Sequence, residues 1–150
     1  MKKFLNMLSL LFLMILLPHA SLLSDPPPPQ WQPFYPQDSQ RILMIIENLL
    51  NALQSKEFTK AYQLFTTRNF REQTSEQDFT FFVSSYPIMM NAKNAFFGNL
   101  ESVDPKMGIV RIQGSLSSTE GNNLRLEFYL QRLGDDWRIE GIQVLKEPQQ

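Results

Sequence analysis

Glu127 and Tyr129 are the side chains whose types and spacing come nearest to a catalytic arrangement. They stand two apart in Arg125-Leu-Glu-Phe-Tyr-Leu-Gln131, a run that alternates apolar and polar residues. In a strand both therefore point to the same side. A carboxylate base beside a phenol that donates a hydrogen bond can shift a proton next to a carbonyl, provided both sit in an apolar pocket. Arg111, on the preceding run of alternating residues, is placed to join them. The same alternation decides against a pocket, because Leu124, Leu126, Phe128 and Leu130 take the other side and that side must meet the core. The expectation is a solvated cross-strand cluster of Arg111, Glu127 and Tyr129, with no catalytic residue.

The remaining chemistry-bearing groups read more simply. Asp135 and Asp136 are adjacent, with Glu140 nearby. Neighbouring turn aspartates cap backbone N–H groups, and a divalent cation needs more oxygen ligands than these, so no metal site is expected. Glu101 and Asp104, closing a strand, read the same way. Trp137 opens the last strand, where core packing is expected in place of a ligand platform. Met89, Met90, Phe96 and Phe97 suggest an adaptable hydrophobic mouth for a small apolar ligand, with core packing the plainer reading.

The 150 residues hold 14 Lys plus Arg against 15 Asp plus Glu and no cysteine. This removes disulfides, thiol nucleophiles, zinc ribbons and iron–sulfur clusters. Scattered basic residues in a near-neutral chain leave no stripe for nucleic acid. No phosphate-binding glycine loop, dinucleotide fingerprint or nucleophile elbow occurs, so no cofactor is expected.

Residues 1–24 have the form of a secretory signal. Lys2 and Lys3 precede an apolar run from Phe4 to Leu17, broken only by Asn6 and Ser9, and Pro18, His19, Ala20 and Ser21 follow. The run is short of the roughly 20 residues that span a bilayer. Export by the Sec route to a periplasm or the exterior is expected, with no membrane span after signal removal; the alternative is an uncleaved anchor in the inner membrane. Cleavage leaves 12 basic and 15 acidic residues and removes His19, the one histidine, and with it any imidazole base or ligand. Residues 25–37 contain six prolines in thirteen positions and read as a stiff linker. Its Trp31, Phe34 and Tyr35 either fold back on the domain or dock a partner.

Residues 38–146 read as a single α+β domain. Ile42, Ile45, Ile46, Leu49 and Leu53 recur at helical spacing after a cap at Asp38 or Ser39, and the helix ends near Ser55. A second helix spans about 59–67. A third starts at Thr74, where Thr74-x-x-Gln77 overlaps Ser75-x-x-Asp78 as a capping box, and stops before Pro87. Beyond Asn91 the period becomes two, predicting strands at about 94–103, 108–118, 123–132 and 136–145 joined by short turns. The predicted fold is α+β: three N-terminal helices packed on a curved four-stranded antiparallel meander, in two layers.

Phe58 with Ala61-Tyr62, then Phe79, Val83 and Tyr86-Pro87, then Leu130 before a Gly-Asp turn, and Trp137-Arg138-Ile139 with Gly141-Ile142 are the packing residues of this order. In them, residues 41–145 resemble the nuclear-transport-factor-2-like (ketosteroid-isomerase-like, cystatin-like) cone, and within it a group of exported bacterial domains of unknown function. The resemblance implies a cone. Some such cones bind or isomerise small hydrophobic molecules inside the sheet, and others dimerise or hold a partner peptide, so the fold does not decide the task. The expectation is a non-catalytic binding or interaction module that uses its sheet face for a protein partner or a second copy. The alternatives are an isomerase acting on a small hydrophobic molecule and an envelope-tethered accessory protein. N-terminal sequencing of the exported chain is expected to find a new terminus near Ser21 or Asp25; a membrane-bound chain still starting at Met1 would establish the anchor.

Overall fold

A computed structural model describes residues 36–146. The predicted signal at 1–24 and the linker, with Trp31, Phe34 and Tyr35, lie outside the described residues, apart from the linker's last two positions. Helix α1 (Pro36–Gln54) starts earlier than the expected cap, since proline's fixed φ suits a first turn. Asp38 is consequently not a cap but a first-turn residue, only 1% exposed. The helix closes on a 6→1, 5→2 pair of bonds, Glu57 N–H to Ala52 O (2.8 Å) and Lys56 N–H to Leu53 O (3.0 Å), with Lys56 left-handed at φ 58°.

Five helices precede the sheet among the described residues, where the periodicity predicts three. Helix α2 (Phe58–Phe65) stops before Thr66, whose extended backbone forms a parallel bridge to Ile139. Thr67 N–H continues it by donating to Ile139 O (2.8 Å). Two β-branched residues that bond a strand edge thus end the predicted 59–67 helix early. Thr67 then caps α3 (Arg68–Gln73), accepting from Phe70 N–H. Thr74 closes α3, so the Thr74–Gln77 box is not used. Ser75 caps α4 (Glu76–Ser85), accepting from Asp78 N–H (3.1 Å) and donating to the Asp78 carboxylate (2.6 Å). A further turn, α5 (Ile88–Asn91), follows Pro87.

The strands are β1 (Asn94–Asp104), β2 (Ile109–Ser117), β3 (Asn123–Leu133) and β4 (Asp136–Val144), antiparallel in that order. The α+β meander is therefore as the sequence predicts. Val110, Ile112, Leu116, Leu126, Phe128, Leu130, Trp137 and Ile139 fill the inner face and meet Ile42, Ile46, Leu49 and Leu53 of α1 with Phe79, Val83 and Met89. α1 packs on β4 and α5 on β2. Irregularities lie between Phe97 and Leu100 and between Ser102 and Asp104 on β1, and opposite Tyr129/Leu130, where Glu140 is the extra residue of β4.

Gly114 fixes the inner face beside β1. A Cβ there would stand 2.9 Å from Cε1 of Phe97, whose ring meets Phe128 edge-on at 6.2 Å. Gly114→Ala is expected to push Phe97 off Phe128 and destabilise the fold by about 1–3 kcal/mol. In a Phe97→Ala background the same change should cost almost nothing, a non-additivity readable by urea denaturation of the four variants.

Candidate functional site

The outer face of the sheet carries the predicted trio. Cross-strand register places Glu101 opposite Arg111, Arg111 opposite Tyr129, and Gln113 opposite Glu127, with Gly141 opposite Tyr129 and Gln143 opposite Glu127. The helices cover the leucine face, so Arg111, Glu127 and Tyr129 lie together on the far side, as the alternation predicts. The cluster is not a solvated one, however. Glu127 is 5% exposed, and its neighbours are what cover it.

Both Glu127 oxygens are engaged. Oε1 accepts from Gln113 Nε2 (3.0 Å) and lies 3.5 Å from Arg111 Nη1; Oε2 accepts from the Tyr129 hydroxyl (2.8 Å). The Tyr129 ring lies back along its own strand toward Glu127. It has room because Gly141 faces it, where a Cβ would sit 3.6 Å from the ring. Arg111 is one-third exposed and bridges outward to Glu101. Its Nε is shielded from solvent and has no acceptor among the described residues.

Burial pushes the Glu127 carboxyl up, but the hydrogen bonds from Tyr129 and Gln113 and the Arg111 charge together outweigh it and hold the group below its ordinary value of 4.5. The hydrogen bond to Glu127, then burial, raises the Tyr129 phenol above 10.0. The Glu101 partner raises the Arg111 guanidinium further above its already high ordinary value. At neutral pH the site is thus an ionised carboxylate under a neutral phenol and a fixed cation.

The other acids work as structural ties. Asp104 Oδ1 accepts from Lys106 N–H (3.0 Å) and Met107 N–H (3.1 Å), the turn cap that its position suggests. Asp136 accepts from Trp137 N–H (2.8 Å) and pairs with Arg138. Glu140 turns away from both aspartates and accepts from Thr67 Oγ1 and Asn69 Nδ2. Trp137 is core, as expected. Its indole N–H donates to Asp38 Oδ1 (3.4 Å), while Arg132 lies 5.9 Å over the ring and 3.8 Å from Asp38 Oδ2. The four residues of the suggested mouth do not converge. Met89 is core, Met90 and Phe97 are half-buried, and Phe96 points to the outer face, 69% exposed.

Sequence reasoning missed Gln113 as a ligand of Glu127, although its place opposite Glu127 in the meander was a usable signal. It also missed the Glu140 tie, which depends on a bulge and on a helix linker distant in sequence. Among the described residues no helix is long and apolar enough to cross a membrane, a statement that does not bear on β-barrels.

A helical layer on one face of a four-stranded meander, with a polar cluster on the other, defines an α+β domain of the architecture that the resemblance implies. The chain belongs to the family described as Domain of unknown function (DUF4864), which matches residues 36–150. A solved structure of a designed nuclear-transport-factor-2-like protein is similar at 17% identity, over 71% of this chain and 98% of its own, with a TM-score of 0.47. Among the curated proteins none matches the sequence.

The folded carboxyl of Glu127 lies below its unfolded value, so its stabilisation is fully present above that unfolded value and is lost as pH falls through the folded one. Glu127→Gln is expected to lower the melting temperature at pH 7. It should also remove part of the acid-induced loss expected of the native chain below about pH 4.3. Equal pH dependence in the two proteins, followed by thermal denaturation, would count against an ionised Glu127 in the fold.

Proposed function

We propose that the chain is an exported, non-catalytic interaction module whose outer sheet face is its contact surface, with a second copy of the chain as the partner. The observation that supports this reading most is the state of Glu127. A general base for carbonyl chemistry must reach its substrate and have a pKa near the working pH. Glu127 is covered by its neighbours, accepts a hydrogen bond on each oxygen and is held below its ordinary value. This speaks against the isomerase alternative and for a structural, pre-paired surface.

The shape of the face supports contact. The helices leave it open, and Gly98 and Gly141 raise no side chains above it. Phe96 stands exposed beside the paired polar centre. An open patch with an aromatic anchor and a Glu127 already paired can meet its own copy across a two-fold axis. The signal-like residues 1–24 support placing the module outside the cytoplasm. The near-neutral, unstriped charge supports protein over nucleic acid as partner.

Native mass spectrometry and sedimentation of the mature chain are expected to show a dimer. Phe96→Asp, an exposed position that leaves the core intact, should convert it to a folded monomer. A native chain that remains monomeric at all concentrations, and retains nothing from a lipid or metabolite extract, would remove this reading and the ligand-binding alternative together.

A further inference from the structure

A cleft of about 320 Å³ lies at the end of the domain where the α4–α5 corner meets the β2–β3 turn, and it shares no residue with the Glu127 cluster. Its size is at the low end of the range that holds small molecules. One wall is the Tyr86-Pro87-Ile88 corner with Asn91; the other is the turn carrying Glu120, Asn122 and Asn123. Backbone bonds set both walls before any ligand arrives. Met89 N–H donates to Tyr86 O (2.9 Å), Ser118 N–H to Asn122 O (3.0 Å) and Lys93 N–H to Ser117 O (2.8 Å).

The chemistry of the lining selects a ligand class. The side-chain amides of Asn91 and Asn123 hold no hydrogen bond to any described residue, and Asn122 reaches Glu120 only at 3.4 Å. Paired donors and acceptors on planar amides, a carboxylate acceptor and no cation favour uncharged hydroxyl groups and disfavour phosphate or sulfate. Tyr86, half-buried and braced edge-on by Phe82 at 5.4 Å, presents an aromatic surface beside these amides, and Ile88 adds an apolar floor. Hydroxyls bonded at the rim with C–H groups packed on a ring describe a saccharide. We propose that this cleft binds a neutral sugar ring, held by Asn91, Asn123 and Glu120 and packed against Tyr86. The site is independent of the dimer reading.

Isotope-labelled protein titrated with N-acetylglucosamine, with glucose and with inorganic phosphate tests it by NMR. Saturable shifts are expected with at least one sugar, confined to the Asn91 and Asn123 amides and the two turns. Phosphate should give none. Asn123→Ala and Asn91→Ala, both exposed, should each weaken binding about tenfold, the loss of one hydrogen bond of roughly 1.4 kcal/mol, at an unchanged melting temperature. Absence of saturable shifts with both sugars, undiminished binding in the two variants, or preferential binding of phosphate would each overturn the proposal.

Discussion

Glu127 is a charge placed where it can remain only if its neighbours surround it. A carboxylate removed from water costs several kcal/mol unless hydrogen bonds and an opposite charge replace the solvent. Here Gln113 and Arg111 come from β2 and Tyr129 from β3, with Glu101 of β1 holding Arg111 in turn. The arrangement requires the register Glu101–Arg111–Tyr129 and Gln113–Glu127. Slipping β3 by one residue would turn Glu127 into the Leu126–Phe128–Leu130 layer and carry those side chains out to water. The polar cluster and the core therefore specify the same pairing from opposite faces.

Two other acids join the helical layer to β4. Asp38 ties the start of α1 to Trp137 and Arg132, and Glu140 holds the α2–α3 link through Thr67 and Asn69. Thr66 and Thr67 pair with Ile139, so part of the β4 edge is covered by backbone. Among the described residues no backbone bridge covers the opposite edge, β1, which is instead interrupted by two irregularities, a common way of blunting an edge against unwanted pairing. On the proposed reading, this asymmetry favours the outer face over the edge as the contact surface.

The meander and its apolar face were legible because period-two alternation in β2 and β3 is a local property. The helical stripe of α1 was legible for the same reason. Three features were not. Thr66 and Thr67 fit a helix by spacing, yet a strand edge some 70 residues away takes their backbone. Asp38 looks like a cap in sequence, and only the fold brings Trp137 over it. Glu127 reads as exposed because alternation assigns a face but not what lies on that face. Its burial comes from side chains two residues away on the same strand and directly across on the next. In each case the deciding partner is set by tertiary pairing, while the residue type alone favours the plainer reading.

The buried state of Glu127 bears directly on how the outer face behaves toward a partner. A surface carboxylate that must shed its water on contact opposes association, and its pairing recovers that cost only with good geometry. Glu127 has already exchanged solvent for Tyr129, Gln113 and Arg111 during folding, and these partners also fix the rotamers of the central rows. In the proposed dimer an incoming surface meets a Glu127 that is already dehydrated and paired, with Phe96 free to be buried. On that reading the gain in contact comes from Phe96, and Glu127 adds orientation without a fresh desolvation penalty of its own, while the partly exposed Arg111 and Glu101 still have water to shed.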